Sequence, residues 1–326
     1  MNVKDLIQQQ TFALLRFPGK GTKATCIVPS GSEQNSESFI FHPFDAQAKA
    51  VTIHGIPSIV ELDQGNEVLP RPLVFPEADA GYVRMIENGI NRIRAGEASK
   101  LVLSRKMEVK TGRSLNDILS DLAHNYPNAM VYAVSDPLCG TWFGATPEVL
   151  LRQNGDILKT MALAGTKSEV EQRPWTAKEV DEQHYVQQFI EDVIEKNKGI
   201  IRKKSSTYDS RAGNLLHLRT DFEFQCSAPV DSILKDLHPT PATCGLPKGE
   251  AIKIIGDLEQ YNRQFYCGYL GLKNQEGAEL FVNLRCGNIS GNVVMLYAGG
   301  GITIDSNPEQ EWIETCSKLN TLLAVL

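Results

Sequence analysis

The chain has 326 residues, of which 42% are hydrophobic and 22% charged, a composition typical of a folded globular protein with a sizeable core. The formal net charge of −6 argues against a nucleic-acid-binding protein, because such a protein would present a basic face. No stretch approaches the roughly 18 consecutive apolar residues of a membrane span, and the N-terminus MNVKDLIQQQ lacks the apolar run of a signal peptide.

The first third of the chain predicts a loop, a helix and a strand. Residues 19–38 are polar and rich in Gly and Ser, which predicts a mobile loop in part of this segment. Residues 78–97 place Ile86, Ile90 and Ile93 on one stripe and therefore predict an amphipathic helix. The segment LVLSRKMEV follows at once and predicts a strand.

A hairpin is predicted in the middle of the chain, within TWFGATPEVLLRQNGDILKTMALAGT. The pair Asn154-Gly155 is a strong signal for a two-residue hairpin turn. A simple two-residue register around this pair would set Glu148 opposite Met161, beside the strand end at residues 164–166.

The second half predicts two long helices separated by several strands. Thr176 and Glu179 match a capping box, which predicts a helix from Thr176 through about residue 197. Asn307 as N-cap and Pro308 at the first helical position predict the final helix. Strands are predicted at HLRTDFEFQC, FYCGYLGLK, ELFVNLRCGNI and NVVMLYAGGG. Many strands with few strand–helix alternations favour an α+β fold of antiparallel sheets flanked by helices, and nothing marks a linker between domains.

The final helix carries a possible metal site. Glu311, Glu314 and Lys318 lie at positions i, i+3 and i+7, so their side chains can converge on one stripe. Two carboxylates one turn apart suit a hard cation such as Mg²⁺. The same spacing is typical of a solvated helix face whose early acidic residues favour the helix dipole, so spacing alone leaves both interpretations open.

A similar pair, Glu179 and Glu182, lies in the helix that begins at Thr176. Glu182 continues the apolar stripe of Val186 and Phe189, so it points toward the core, where a carboxylate needs a partner such as a metal ion. The capping box already accounts for Glu179.

The cysteine pattern indicates the compartment. Seven cysteines stand singly without a CxxC pair, which is typical of free thiols in a reducing cytoplasm. The six histidines are dispersed as well, so no zinc-like ligand spacing is present. The expected location is therefore cytoplasmic.

Seven motifs occur in one order: KLVLSR, FGATPEVLLR, ALAGT, LHPTPATCGLPK, VNLRCG, YAGGGI and DSNPEQEWIETCSKL. Together they resemble the chorismate-utilising enzymes, and most closely the isochorismate synthases, over roughly residues 75 to 326. The resemblance implies one large α+β domain of antiparallel sheets packed face to face with helices outside. Residues 1–75 would be a short N-terminal portion of this domain, and residues 76–326 the chorismate-binding catalytic region.

The resemblance implies a catalytic pair. Lys100 matches the general base that activates water to attack ring carbon 2, and Glu148 matches the general acid that protonates the departing hydroxyl at ring carbon 4. A base must be neutral, so the pKa of Lys100 should be lowered by burial or by nearby cations. Glu148 must carry a proton, so its pKa should be raised.

The resemblance also implies a magnesium cofactor. Glu182 and Glu314 match the principal ligands, and Glu311 and Glu179 match supporting acidic positions. The ion would anchor the ring carboxylate of chorismate and neutralise charge among the glutamates.

The resemblance implies nine substrate-binding residues, at positions that correspond to substrate contacts in the related enzymes. Arg285 corresponds to the residue that grips the enolpyruvyl carboxylate, for which a planar fork is suited. Gly299 and Gly301 would allow the backbone to approach the substrate closely. The full set is Ala164, Gly165, Thr166, His238, Tyr266, Arg285, Gly299, Gly301 and Lys318.

The choice among relatives depends on Ala164. Aminodeoxychorismate synthases carry at this position a lysine that attacks the ring. The smaller Ala164 leaves room for water, so we expect hydroxylation of the ring. We expect no glutaminase partner. The expected reaction is conversion of chorismate to isochorismate, for menaquinone synthesis. The alternatives are a salicylate synthase, a siderophore-pathway enzyme or a catalytically silent chorismate-binding subunit. The intact pair Lys100 and Glu148 argues against the silent subunit, because such a subunit would need neither residue. The chain departs from the family pattern at Gln183, where relatives often have His or Asn, and in its short N-terminal region.

Overall fold

The structure is a computed structural model that describes residues 3–30, 37–68, 77–212, 215–274 and 277–326. Within these ranges the chain forms two nine-stranded sheets and seven helices. Neighbouring strands pair antiparallel throughout both sheets. The predicted α+β architecture of antiparallel sheets is confirmed.

Strands and helices are numbered in chain order. The strands are β1 (Phe12–Arg16), β2 (Lys23–Ile27), β3 (Glu37–His42), β4 (Val51–Gly55), β5 (Ser58–Glu61), β6 (Lys100–Lys110), β7 (Met130–Asp136), β8 (Gly140–Thr146), β9 (Val149–Asn154), β10 (Ile157–Ser168), β11 (Ile200–Lys204), β12 (Tyr208–Ala212), β13 (Leu215–Gln225), β14 (Gly245–Leu246), β15 (Tyr269–Lys273), β16 (Gly277–Val282), β17 (Cys286–Ser290) and β18 (Val293–Ile302). The helices are α1 (Val3–Leu6), α2 (Ala80–Arg94), α3 (Leu115–Asn125), α4 (Ala177–Lys196), α5 (Val230–Leu237), α6 (Lys248–Glu259) and α7 (Pro308–Leu323). None of the described helices is long and apolar enough to cross a membrane.

Each sheet is built around one long strand pair. The first sheet has the order β14-β6-β18-β17-β8-β7-β1-β2-β5, and the second has the order β11-β13-β10-β9-β16-β15-β3-β4, with β12 paired to β13. In the first sheet β6 pairs with β18 from Leu101 opposite Ile302 to Lys110 opposite Val293. In the second sheet β10 pairs with β13 along most of its length. These two pairs border the cavity described below.

The core lies between the two sheets and between each sheet and its helices. Phe41 of the second sheet packs against Trp142 of the first, with ring centroids 6.0 Å apart, and Phe265 stacks on Phe41 at 4.2 Å. The outer faces bury apolar side chains against α4 and α5 on one side and against α3 and α7 on the other. Six of the seven cysteines are buried, and all seven are free thiols, as predicted.

The helices predicted from periodicity and capping are confirmed, with small changes at their ends. The segment predicted over 78–97 forms α2, whose N-cap Asp79 accepts a hydrogen bond from Tyr82 N. In α4 the capping box of Thr176 and Glu179 is formed in both directions. In α7 the N-cap is Asn307, and Pro308 is the first helical residue. These ends depend on groups within one turn of each other, which is why sequence locates them.

The predicted hairpin forms, but its predicted register is wrong by two residues. Asn154 lies opposite Ile157, so Gly155 and Asp156 are the turn residues and Asn154 remains in the strand. Gly155 has a φ of +60°, which suits the first position of a type II′ turn. Glu148 therefore precedes β9 and does not face Met161.

The segment 19–38, predicted to be a loop in part, contains β2 and the first residues of β3. Ala24 pairs with Val60 of β5 in the first sheet. Residues 31–36 lie outside the described residues, so the predicted loop stays a prediction.

Candidate active site

A cavity between the two sheets, here called the central cavity, is bordered by β6 and β18 of the first sheet and by β10 and β13 of the second. Helices α4 and α7 also contribute side chains to its wall. Twelve predicted site residues line it: Lys100, Glu148, Ala164, Gly165, Thr166, Glu182, Tyr266, Arg285, Gly299, Gly301, Glu314 and Lys318. The fold therefore brings together most of the positions that the motifs single out.

Lys100 is the first residue of β6 and is 1% exposed. Leu246 of β14 lies opposite it and covers this end of the strand. Burial lowers the pKa of Lys100; the charge of Glu182 opposes this shift, whereas Lys178 and Lys318 add to it. An amine in such surroundings loses its proton more easily than a solvated lysine, as a general base requires.

Glu148 lies directly before β9 and is 4% exposed. Its backbone carbonyl accepts a hydrogen bond from Val282 N at 2.9 Å, which fixes the chain at this point. Burial raises the pKa of the Glu148 carboxyl to about 8, although the charges of Lys100 and Lys318 act in the opposite direction. A carboxyl that keeps its proton near neutral pH can donate it to a leaving group.

Glu182 of α4 meets Glu311 and Glu314 of α7 at the glycine run of β18, and these three residues are called the carboxylate cluster. A Cβ added to Gly300 would lie 2.8 Å from Glu311 Oε2 and 3.7 Å from Glu314 Oε1. A Cβ added to Gly301 would lie 3.0 Å from Glu182 Oε1. The missing side chains therefore give the carboxylates the space they occupy.

Two lysines pair with the carboxylate cluster. Lys318 Nζ donates to Glu314 Oε1 at 2.6 Å. Lys178 Nζ lies 2.5 Å from Glu311 Oε1 and 3.6 Å from Glu182 Oε1. Burial acts to raise the pKa of Glu314, but the charges of Lys318 and Lys178 outweigh it and leave that pKa lowered. For Glu311 burial prevails over Lys178, and its pKa is raised.

The carboxylate cluster offers the donors of a hard-cation site. Glu311 Oε2 is buried and has no hydrogen-bond partner among the described residues. Carboxylate oxygens are the ligands that Mg²⁺ prefers, so the donor chemistry fits this ion. In the part of the chain that the structure describes, however, no three Asp, Glu, His or Cys side chains stand in a ligand arrangement. The ammonium of Lys178 lies against two of the three carboxylates instead.

Glu179, the fourth predicted metal residue, lines one cavity together with the carboxylate cluster, but its carboxylate oxygens have local partners. Its two carboxylate oxygens accept hydrogen bonds from Arg173 at 2.7 and 2.8 Å. Glu179 Oε2 also accepts from Thr176 N at 2.8 Å and from Thr176 Oγ1 at 2.9 Å. The structure thus gives Glu179 a local role at the start of α4.

A second cavity, here called the outer cavity, adjoins the carboxylate cluster. It shares Thr166, Glu182 and Glu314 with the central cavity and is also bordered by Lys178 and Glu311. The carboxylate cluster therefore lies where the two cavities meet.

Arg285 lies between β16 and β17 and has a φ of +48°, a backbone conformation that residues other than glycine rarely adopt. Its carbonyl accepts a hydrogen bond from Ala145 N at 3.1 Å. Its guanidinium donates to the Lys318 carbonyl at 3.4 Å and to Thr321 Oγ1 at 3.3 Å. Both acceptors are neutral and distant, so the fork can turn toward an anion in the central cavity. Strained backbone of this kind is concentrated at functional sites.

The predicted segment from Ala164 to Thr166 forms an irregular part of β10. The register with β13 shifts between Ala164 and Lys167, and Gly165 has a φ of +70°. A Cβ at Gly165 would lie 3.1 Å from the carbonyl oxygen of Glu179, so glycine permits this close approach to α4. Ala164 presents only a methyl group to the central cavity.

Tyr266 forms part of an aromatic wall of the central cavity. Its ring stacks on Tyr297 with centroids 5.5 Å apart, and Tyr297 stacks on Trp142 at 5.4 Å. The aromatic position implied by the resemblance therefore lies at the cavity. A rigid stacked wall of this kind limits which ring orientations fit.

The structure does not bring His238 to the central cavity. His238 is buried at the end of α5, where its Nε2 bonds to the carbonyl oxygens of Pro43 and Phe44 at 3.0 and 3.2 Å. These contacts link α5 to the segment after β3. Among the described residues, the histidine that lines the central cavity is His217 of β13, which none of the sequence motifs indicated. An isolated polar residue in the run Leu215 to Leu218 was the available signal.

His217 presents a hydrogen-bond acceptor to the central cavity. Its Nδ1 lies 3.0 Å from the Gly165 carbonyl, and because a carbonyl only accepts, Nδ1 carries the proton. Burial lowers the pKa of His217 to about 3, and the charges of Arg285 and Lys318 act in the same direction, so the ring is neutral. Nε2 is buried and without a partner among the described residues. This lone pair can accept a hydrogen bond from a substrate hydroxyl.

Curated proteins with similar sequences include several isochorismate synthases. The chain is 32% identical to the isochorismate synthase EntC of Escherichia coli K12 over 259 residues, which are 75% of this chain and 66% of EntC. It is 30% identical to the isochorismate synthase MenF of the same strain over 322 residues, covering 93% of this chain and 72% of MenF. The chain thus spans about two thirds of the length of the EntC relative.

Solved structures of low sequence identity share the fold. The structure of a Bacillus anthracis protein described as the isochorismate synthase DhbC superposes with a TM-score of 0.83 at 22% identity, covering 99% of this chain and 98% of that one. Anthranilate synthase component I from Streptococcus pneumoniae gives a TM-score of 0.71 at 17% identity, with coverage of 96% and 90%. The model of the family "Chorismate binding enzyme" matches residues 75–326, which include the residues of the central cavity. The chain therefore belongs to the family of chorismate binding enzymes.

Proposed function

We propose that this protein is an isochorismate synthase, which converts chorismate to isochorismate with Mg²⁺ as cofactor. The observation that carries the proposal is the pair Lys100 and Glu148, which border one cavity and have pKa shifts in opposite senses. Burial lowers the pKa of Lys100, as a base needs, and raises that of Glu148 to about 8, as an acid needs. Curated proteins that are about 30% identical to this chain are isochorismate synthases.

In the proposed reaction, neutral Lys100 takes a proton from a water molecule as the water oxygen bonds to ring carbon 2. The two conjugated double bonds of the ring each shift by one position, to carbons 1 and 6 and to carbons 4 and 5, as the bond from carbon 4 to its hydroxyl breaks. Glu148 donates its proton to that hydroxyl, which leaves as water, so one water enters and one departs. Ala164 leaves space for the attacking water, and His217 Nε2 accepts a hydrogen bond from a substrate hydroxyl.

The two carboxylates of chorismate require two cationic partners. Arg285 would hold the enolpyruvyl carboxylate with its planar fork. Mg²⁺, when bound, would be held by Glu182 and Glu314, with Glu311 in support, and would neutralise the ring carboxylate. Lys318 would lie beside this carboxylate, because it already donates to Glu314.

The proposal extends to pathway, location and domain limits. Menaquinone synthesis is proposed as the pathway, with a siderophore route as the alternative; the MenF match spans 93% of this chain and the EntC match 75%. Residues 1–75 and 76–326 are proposed to form one domain, because β1, β2 and β5 pair within the first sheet and β3 and β4 within the second. A cytoplasmic location is proposed from the seven free thiols.

The test is product analysis. Purified protein is incubated with chorismate and Mg²⁺, with and without ammonium, and the products are separated by chromatography. Isochorismate alone is the expected result. Salicylate with pyruvate would identify a salicylate synthase instead, an aminated product would contradict the argument from Ala164, and no turnover would indicate a silent chorismate-binding subunit.

A matched pair of variants tests the proposed base. Lys100→Ala should abolish turnover but keep Mg²⁺-dependent chorismate binding, whereas Lys110→Ala, at the exposed end of the same strand, should keep full activity. An active Lys100→Ala variant would remove Lys100 from the mechanism.

A further inference from the structure

Lys178 has the most acidic surroundings of the lysines at this site. It lies in the first turn of α4, and its Nζ is 2.5 Å from Glu311 Oε1 and 3.6 Å from Glu182 Oε1. Its two partners are almost fully buried, since the side chains of Glu311 and Glu182 are only 3% and 10% exposed. Glu311 Oε1 accepts a further hydrogen bond from Ser306 Oγ at 2.8 Å. The ammonium is thus held at two of the three carboxylates proposed to bind Mg²⁺.

Buried carboxylates need a compensating cation, because an unpaired charge in the protein interior is strongly unfavourable. Lys178 supplies such a charge for Glu311 and Glu182. A divalent ion bound by the same carboxylates would supply it as well. Two cations this close together repel each other, and they would compete for the same oxygens. The lysine and the metal ion are therefore alternatives at this position.

The surroundings of Lys178 give its side chain a place to go. It borders the outer cavity, and its side chain is 23% exposed, so rotation of the long side chain can carry Nζ away from the carboxylate cluster. The side chain of Lys318 is less free to rotate, because its Nζ donates to Glu314 Oε1 at 2.6 Å and to the Gly299 carbonyl at 2.8 Å.

We propose that Lys178 is a tethered cation that neutralises the carboxylate cluster in the metal-free enzyme and is displaced when Mg²⁺ binds. The inference rests on the proposed role of Mg²⁺. It makes Lys178 a determinant of metal affinity that the sequence motifs did not indicate. The metal-free enzyme keeps its cluster neutralised at the expense of weaker Mg²⁺ binding.

The first experiment is calorimetric titration of substrate-free protein with MgCl₂. Lys178→Met removes the competing charge and keeps the apolar stem, so the variant should bind Mg²⁺ about tenfold or more tightly than the wild type. Lys196→Met is the matched control, because it removes a lysine of the same helix that pairs with a carboxylate, Asp236, at 2.7 Å. The control should bind Mg²⁺ as the wild type does. Unchanged or weaker binding by folded Lys178→Met would overturn the proposal.

The second experiment uses wild-type protein and so does not depend on the folding of a variant. Lysines are acetylated briefly with and without MgCl₂, and the modified fraction of each is measured by mass spectrometry. Lys178 should be protected without metal and become several-fold more reactive with it, while Lys196 should not change. Equal reactivity of Lys178 in both conditions would show that Mg²⁺ leaves the lysine in place.

Neither measurement requires turnover, so each separates this proposal from the proposed reaction. The role of Lys178 alone would be contradicted if the wild type makes isochorismate, Lys178→Met binds Mg²⁺ no more tightly, and the reactivity of Lys178 does not change with MgCl₂. If both effects are found but the wild type does not convert chorismate, the reaction would be contradicted and the role of Lys178 supported.

Discussion

Glu148 and Glu314 border the same cavity, yet their surroundings shift the two carboxyl groups in opposite directions. Burial raises the pKa of Glu148 to about 8, because its neighbouring lysines act without outweighing the loss of solvation. Burial acts on Glu314 as well, but Lys318 donates to it directly and, with Lys178, leaves its pKa lowered. A direct lysine contact therefore separates a carboxyl suited to donate a proton from one suited to bind a cation.

The largest effect is expected from the Glu148 side of this comparison. Glu148→Gln keeps the shape of the side chain but cannot donate the carboxyl proton, so kcat should fall about 10²–10⁴-fold. Steady-state kinetics on chorismate measure this, with Glu108→Gln on the exposed part of β6 as the control. A kcat within a few-fold of the wild type would show that the raised pKa serves no catalytic step.

On the other side of the comparison, Glu314→Gln should weaken Mg²⁺ binding about 10–100-fold, because it removes a charged donor and unpairs Lys318. Calorimetric titration with MgCl₂ measures the affinity. Glu309→Gln is the matched control, since Glu309 lies in the first turn of the same helix outside the carboxylate cluster. If both variants bound Mg²⁺ equally well, the cation site would lie elsewhere.

A third measurement follows the difference between the two carboxyl groups with pH. As pH rises through about 8, Glu148 loses the proton it must donate, so kcat should fall by up to about tenfold per pH unit above that value. The pH profile of kcat at saturating Mg²⁺ checks this. In the residual activity of Glu148→Gln the decline should be absent, and a decline that persists there would belong to another group.

The remaining prediction concerns stability. The folded chain keeps the Glu148 proton up to about pH 8, whereas an ordinary glutamate loses it near 4.5, so unfolding releases a proton between these values. Rising pH therefore destabilises the wild type relative to Glu148→Gln, by at most about 1.4 kcal/mol per pH unit in this window. Urea denaturation of both proteins at about pH 5 and about pH 8 measures the difference. A constant difference would contradict the raised pKa.

Features encoded within a few residues were accessible from the sequence. The capping box of Thr176 and Glu179 and the N-cap Asn307 join groups one turn apart, so no tertiary contact is needed to form them. The ordered motifs indicated the family, and most of the residues they singled out line the central cavity.

Features that join distant segments depended on the tertiary structure. Sequence favoured His238, but the pairing of β10 with β13 brings His217 to the Gly165 carbonyl. His238 bonds instead to the Pro43 carbonyl in the segment after β3. The hairpin register differs from the predicted one by two residues, because Gly155 takes the first turn position.

The acidic helix faces show the same division most clearly. By spacing alone Glu311 and Glu314 could face solvent or a metal ion, because spacing places side chains on one helix but not against another. Only the packing of α4 and α7 against the glycine run of β18 brings Glu182 to them and places Lys178 at the carboxylate cluster. The sequence by itself determined helices α2, α4 and α7, the N-terminal caps of α4 and α7, and the family. The tertiary structure decided which charges meet, because charge pairing across the core is set by register and packing between distant segments.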